Sequence, residues 1–310
     1  MKVTAVGLHG YGGPDVLRLV EIDVPEPAEG QVRIRVCATP VTPADVWLRQ
    51  GGIDALMAGA SRPFVPGLEL SGVVESAGPG ARFAPGDEVV AVTTFVGTGR
   101  GCQSELVVID DADVAARPNT VTHAEASTVP MSGLTAELCL DTLEVGAGAR
   151  IAVTGPDGTV GRFVRQLGAD RGQEMIPVPR PGPEDRWSPA DKVRQLVPEG
   201  VDGLVDCAGI GADVVSCVRP GGRLVVLRPA SDATRAAAAE AGVGIELVSV
   251  RRRQGDPARL ARLMAMVDRR VLRPRVAEVA PVSDVVALHR RFERGGLDGR
   301  LVMEWGAQRP

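Results

Sequence analysis

The feature that most restricts the fold is a short apolar run followed by spaced glycines. Arg150-Ile151-Ala152-Val153-Thr154 has the texture of a strand buried on both faces. It leads into Gly155-Pro156-Asp157-Gly158-Thr159-Val160-Gly161 and an amphipathic helix through Leu167. Strand, glycine turn and helix in this order form a βα unit whose helix N-terminus accepts a dinucleotide pyrophosphate. Met175–Val178, Gly203–Asp206, Arg223–Leu227 and Gly244–Val250 read as further short parallel strands bounded by turns. Repeated βα units predict an α/β fold with a doubly wound sheet.

The first 118 residues read differently, as short strands separated by Gly and Pro. Val32, Ile34 and Val36 alternate with Arg33 and Arg35, and strands are expected over Ser71–Ser76, Asp87–Val92 and Glu105–Ile109. That spacing suggests a compact β barrel. Between the two textures, Ala124–Leu143 is expected to be helical. The tail returns to the first texture: a helix over Asp256–Asp268, a strand at Val276–Val279, a helix over Ser283–Arg294 with Ser283 as N-cap, and a strand at Arg300–Glu304.

A chain of 310 residues suits two cores, and 35 basic against 39 acidic residues leave a net charge of −4. No nucleic-acid or anionic-membrane footprint is expected from that balance, and no window reaches the roughly 18 apolar residues of a membrane span. Lys2 and Lys192 are the only lysines; with abundant Ala, Gly and Pro this suggests a high-GC bacterial gene. Cys37, Cys102, Cys139, Cys207 and Cys217 stand singly, which fits a reduced, cytoplasmic protein.

Tyr11–Leu17, Thr42–Gly51, Pro66–Val74, Gly86–Val89, Gly133–Ala136, the glycine turn, Pro220–Val225 and Gly299–Val302 occur in a family-like order. Through them the chain resembles the zinc-independent medium-chain dehydrogenases/reductases of the quinone oxidoreductase, zeta-crystallin-like group. The resemblance implies a GroES-like β-barrel catalytic domain over 1–118 and 275–310, a Rossmann domain over 119–274, and a nicotinamide cleft between them. It implies cofactor contacts at Thr135, Thr154, Cys207, Ala208, Gly209, Leu227 and Arg300, beside Gly155, Gly158, Thr159, Val160 and Gly161 of the turn. It also implies a homodimer paired through the edge strand over 244–250 and a small-molecule substrate.

Arg180 falls 19 residues beyond Gly161, at the end of the second strand. An arginine there pairs with the 2′-phosphate of NADP where an acid would favour NAD, so NADPH is expected rather than NADH; the alternative is a solvated surface arginine. In zinc-dependent relatives Cys, His and Glu of the early loops hold the metal. Here those places carry Thr42 and Leu68 with Glu69 alone, so no metal is expected. Hydride addition to a quinone or conjugated enone is then the easier chemistry, with hydrogen-bond donors for the developing oxyanion.

Thr42 stands where the family has asparagine and Trp47 where it has tyrosine. Thr42 is the candidate donor, Trp47 a stacking wall, and Tyr11 a proton donor or lid; the alternative for each is packing. Arg49, Phe64, Phe95 and Met131 are candidate pocket residues, with core packing the competing role for the last three. His9, His123 and His289 show no ligand spacing.

Two departures stand out. Asp157 places a carboxylate in the phosphate loop, which must point outward if phosphate is to bind there. Pro181–Asp202 has room for only one helix, around Pro189–Val197, so the sheet should be one strand short and its adenine side more open, either binding more weakly or walled by Pro179, Arg180 and Trp187. The leading expectation is an NADPH-dependent quinone or enone reductase, with a tailoring step in bacterial polyketide or secondary metabolism as one place for it. The alternatives are a ketone reductase or non-redox dehydratase or cyclase on the same fold, and a non-catalytic cofactor-binding scaffold.

Overall fold

The computed structural model describes residues 1–180, 182, 188–250 and 256–306. By its contacts the chain divides into two compact units. One comprises Met1–Met131, Arg253–Arg270 and Pro274–Pro310, the other Ser132–Arg252 and Val271–Arg273. The first boundary therefore falls at Met131, later than residue 118, and the helix starting at Pro257 belongs with the first unit.

The first unit opens with β1 (Lys2–Gly7) and β2 (Arg18–Asp23), an antiparallel pair. There follow β3 (Gln31–Pro40), α1 (Pro43–Gln50), β4 (Glu69–Ala77), β5 (Glu88–Val92), β6 (Leu106–Asp110), β7 (Val114–Ala116) and α2 (His123–Ala126). The side chains of Val32, Ile34 and Val36 enter the core cluster with Leu48, Phe64, Leu70 and Phe95, which fixes the register of β3. Arg33 does not lie on a solvent face as its alternation suggests. It is buried, its Nε donating to Glu75 at 2.7 Å and its Nη1 to Glu26 at 2.8 Å. Two paired carboxylates make that burial tolerable.

The second unit begins within α3 (Pro130–Leu143) and continues as β8 (Arg150–Thr154), α4 (Thr159–Asp170), β9 (Glu174–Val178), α5 (Pro189–Leu196), β10 (Val201–Asp206), β11 (Val218–Val226), α6 (Asp232–Ala241) and β12 (Gly244–Leu247). All five strands run parallel in the order β12-β11-β10-β8-β9. Among the described residues no strand covers β9, as the shortened segment after it predicts. The expected single helix of Ala124–Leu143 is two, because Pro130 supplies no amide to continue α2 and instead opens α3. The last strand stops at Leu247, not Val250: Val248 still bonds Val226 O at 3.0 Å, but the ladder ends there.

The tail adds α7 (Pro257–Asp268), β13 (Val276–Pro281), α8 (Val285–Glu293) and β14 (Arg300–Glu304) to the first unit. Its seven-stranded sheet runs β13-β14-β3-β4-β5-β7, with β6 also on β3; β13 and β14 are parallel. Ser283 is not an N-cap. It lies in a tight turn over Val282–Asp284, and Asp284 precedes α8 without a side-chain cap. No helix among the described residues is long and apolar enough to cross a membrane.

Candidate active site

In the second unit the glycine turn has the geometry its sequence demands. Gly155 sits at φ +56°, in the left-handed region, and carries the chain from β8 into the turn. A Cβ on Gly161 would lie 2.2 Å from the Gly155 carbonyl oxygen, so only glycine lets α4 start this close to the strand. Gly158 is the N-cap and has no side chain to cap with. The first-turn amides of α4 are therefore left to a ligand or solvent, and the helix dipole makes that end attractive to phosphate. Asp157 is exposed, and its carbonyl accepts from Arg162 Nε at 2.7 Å. Thr159 and Val160 are half-buried in that first turn.

The loop after β10 meets this turn. Thr154 Oγ1 donates to Asp206 Oδ1 at 2.6 Å and accepts from Ala208 N at 3.0 Å. Asp206 is buried and also accepts from Ile210 N at 3.0 Å and Gly211 N at 2.8 Å. One carboxylate thus fixes residues 207–211 against β8. Beside it a cavity of about 330 Å³ is lined by Cys207, Gly209 and Leu227, and also by Asp206, Ser231 and Thr234, which sequence reasoning missed. Burial pushes the Cys207 thiol well above its ordinary value, so it is no thiolate nucleophile. Arg180 lies exposed two residues beyond β9 and pairs with no acid among the described residues. Thr135 is half-buried on α3. Trp187, expected as part of an adenine wall, lies outside the described residues.

The first unit holds the other predicted residues. Thr42 caps α1 in a capping box: its hydroxyl donates to Asp45 Oδ2 at 2.8 Å, and its amide donates to the same oxygen at 2.7 Å. That proton is committed to α1, and Thr42 is only 3% exposed. Asp45 also accepts from Gly67 N at 2.8 Å, and burial pushes its carboxyl up to about 6. Arg300 is buried, 3.4 Å from Glu69 Oε1 and 3.4 Å from Val41 O, while Glu69 Oε2 accepts from Met131 N at 2.8 Å. Trp47 is half-buried on α1.

Arg49 is fully buried, bonding Gly12 O at 2.5 Å and pairing with Glu293, which makes it a brace between α1 and α8. Phe64 and Phe95 are core residues. Tyr11 is half-buried; its hydroxyl donates to Asp54 Oδ1 at 2.5 Å, and burial, then Asp54, hold its phenol above the usual range. Ser71 Oγ lies 2.7 Å from His123 Nδ1, yet Ser71 is fully buried and donates to Val89 O, so this pair braces the barrel.

The Alcohol dehydrogenase GroES-like domain family matches residues 28–131, and the Zinc-binding dehydrogenase family matches residues 184–303. The chain belongs to the medium-chain dehydrogenase/reductase family. Among its relatives in this family, a quinone-oxidoreductase homolog of Spinacia oleracea is 34% identical over 171 residues, 53% of this chain and 51% of that protein. An NADPH-dependent alkenal/one oxidoreductase of Arabidopsis thaliana is 31% identical over 234 residues, 70% of this chain and 60% of that protein. The chain spans about half the length of the curated relatives it matches, and 38% for a human synaptic vesicle membrane protein VAT-1 homolog-like protein. A mycobacterial quinone oxidoreductase aligns with a TM-score of 0.79 at 26% identity, covering 97% of this chain and 99% of that one; its complex with NADPH aligns at 0.83.

One matching family carries zinc in its name, and the described side chains offer the ion no ligand set. Among the described residues no three of His, Cys, Asp and Glu converge, and Glu69 is taken up by Arg300 and Met131 N.

Proposed function

We propose that this chain is an NADPH-dependent reductase of quinones or conjugated enones. The observation that carries the reading is the uncapped start of α4, held against Gly155 by the bare Cα of Gly161 and flanked by the Asp206-fixed loop. A pyrophosphate fits that cradle: three successive first-turn amides point outward and no side chain competes for them. Bound NADPH supplies a hydride to the acceptor.

The chain's own residues do the rest. The amides of Thr159, Val160 and Gly161 bind phosphate, and exposed Arg180 is the cation for the 2′-phosphate. The loop over 207–211, locked by two amide bonds to Asp206, which Thr154 of β8 holds in turn, orients what enters the cavity. A zinc ligand set is not required for an acceptor already activated by conjugation. The names of the spinach and Arabidopsis relatives support quinones and enones as acceptors.

The test is NADPH oxidation followed at 340 nm with 1,4-naphthoquinone and an enone panel. Steady turnover is expected. Tight coenzyme binding without turnover would instead favour a scaffold, and product without net coenzyme oxidation a non-redox enzyme. Arg180→Ala should lower the preference for NADPH over NADH about 10-fold, the value of one charge-assisted contact; full retention would dismiss the assignment of Arg180. Edge strand β12, with Leu247 42% exposed, supports a homodimer paired through that strand. Sedimentation at micromolar concentration showing monomer alone would remove it.

A further inference from the structure

A second charged feature lies in the first unit. The guanidinium carbon of Arg62 is 4.5 Å from the Tyr11 ring centroid and 4.4 Å from that of Phe64, and the two rings are 6.2 Å apart at an interplanar angle of 39°. Arg62 therefore occupies the mouth of an aromatic wedge. Phe64 is buried in the core and Tyr11 is tied to Asp54, so the wedge is rigid.

Arg62 itself is exposed and makes no ion pair among the described residues. A second cation reaches this loop from the segment between β5 and β6: Arg100 Nη1 donates to Pro63 O at 2.5 Å and Ser61 O at 3.3 Å, with no acid paired to it among the described residues. Most exposed arginines lose several rotatable bonds' freedom when they bind. This one is already held on two sides by cation–π contacts, and the residue is exposed to a ligand from solvent.

We propose that Arg62, pre-set by Tyr11 and Phe64 and backed by Arg100, binds an oxyanion group, phosphate or carboxylate, of a small-molecule ligand. The chemistry matches in shape, since a planar guanidinium meets two oxygens of such a group at once. A nucleic acid is disfavoured by the net charge of −4 and by the smallness of the patch. Asp54 is the opposing acid. Its carboxylate accepts from Tyr11 and sits on the same ring system, so it weakens the anion's binding without blocking it.

Tyr11 is the only tyrosine of the chain, so its ring resonances report this site without assignment. The full-length protein with ring-labelled tyrosine is titrated at pH 7 with inorganic phosphate and, separately, with acetate, against sodium chloride of equal ionic strength. A saturable shift of the Tyr11 signals is expected, with a dissociation constant on the order of 1–10 mM for a lone oxyanion at an open site. Saturation by phosphate alone identifies a phosphate ester; saturation by both identifies the wider oxyanion class, and by acetate alone a carboxylate.

Arg62→Gln should abolish the saturable shift. Arg62→Lys, which keeps the charge but loses the fork, should weaken binding about 5-fold or more. Asp54→Asn should tighten it about 3-fold by removing a nearby like charge. No saturation with either anion, or an unchanged shift in Arg62→Gln, overturns the proposal. Neither result bears on NADPH turnover, so the two proposals fail separately.

Discussion

Gly161→Ala tests the phosphate cradle most directly, because the structure gives both the perturbation and its control. The added Cβ would stand 2.2 Å from Gly155 O and 3.0 Å from Gly155 C, both backbone atoms that cannot rotate away. Ordinary contact begins near 3.4 Å, so the start of α4 must move off the turn by about 1 Å. Overpacking of this kind costs about 1–3 kcal/mol, a fall of several degrees in melting temperature. An amide-to-phosphate contact near ~2.9 Å stretched by ~1 Å is no longer a hydrogen bond. Losing one charge-assisted bond of about 1.5–3 kcal/mol weakens NADPH roughly 10- to 150-fold.

Gly158→Ala is the control. Its Cβ would meet only Gly155 O, at 3.3 Å, and its φ of −69° suits any residue. Affinity there should fall less than about 3-fold, since nothing forces the helix start off the turn, although the poorer cap costs up to about 1 kcal/mol of stability. Calorimetric titration with NADPH, paired with thermal melts, separates the outcomes. If Gly161→Ala binds within about 3-fold of the parent, or Gly158→Ala loses as much, the cradle does not hold the pyrophosphate.

Two further predictions follow from buried groups. His289 is fully buried beside Arg49 with neither ring nitrogen hydrogen-bonded, and burial, then Arg49, push its imidazole down to about 3 from 6.5. A lowered histidine favours folding above pH ~6.5 and loses that contribution as pH falls towards ~3, up to about 5 kcal/mol. Asp45 runs the other way: raised from 3.8 to about 6, it gains stability as pH falls through that window, up to about 3 kcal/mol. At pH ~4 the pair still costs roughly 1 kcal/mol, so His289→Leu should retain its melting temperature further into acid than the parent. Parallel pH profiles would refute this. Asp206→Asn presents an amide N–H₂ to donors that need acceptors, and should cost about 1–3 kcal/mol in urea unfolding; an unchanged midpoint would show that the 207–211 loop does not depend on that carboxylate.

Local chemistry made much of this fold legible. Apolar runs at Arg150–Thr154 and Gly203–Asp206 need burial on both faces wherever they sit, which is why they read as parallel strands. The glycines at 155 and 161 answer a steric requirement confined to a few residues, so the βα turn was visible as well. The short segment after Arg180 left no room for a further strand, and β9 is accordingly uncovered among the described residues.

Side-chain roles are another matter, because they depend on partners far along the chain. Thr42 reads as a donor until Asp45 takes its proton, and Arg49 reads as a pocket cation until Glu293, 244 residues away, buries it. Arg33 looks solvated by alternation until Glu26 and Glu75 close over it. Periodicity and steric limits act within a strand or turn and so are written into consecutive residues. Ion pairing, burial and the aromatic wedge around Arg62 arise only when segments distant in sequence are packed together, and only the tertiary structure decides them.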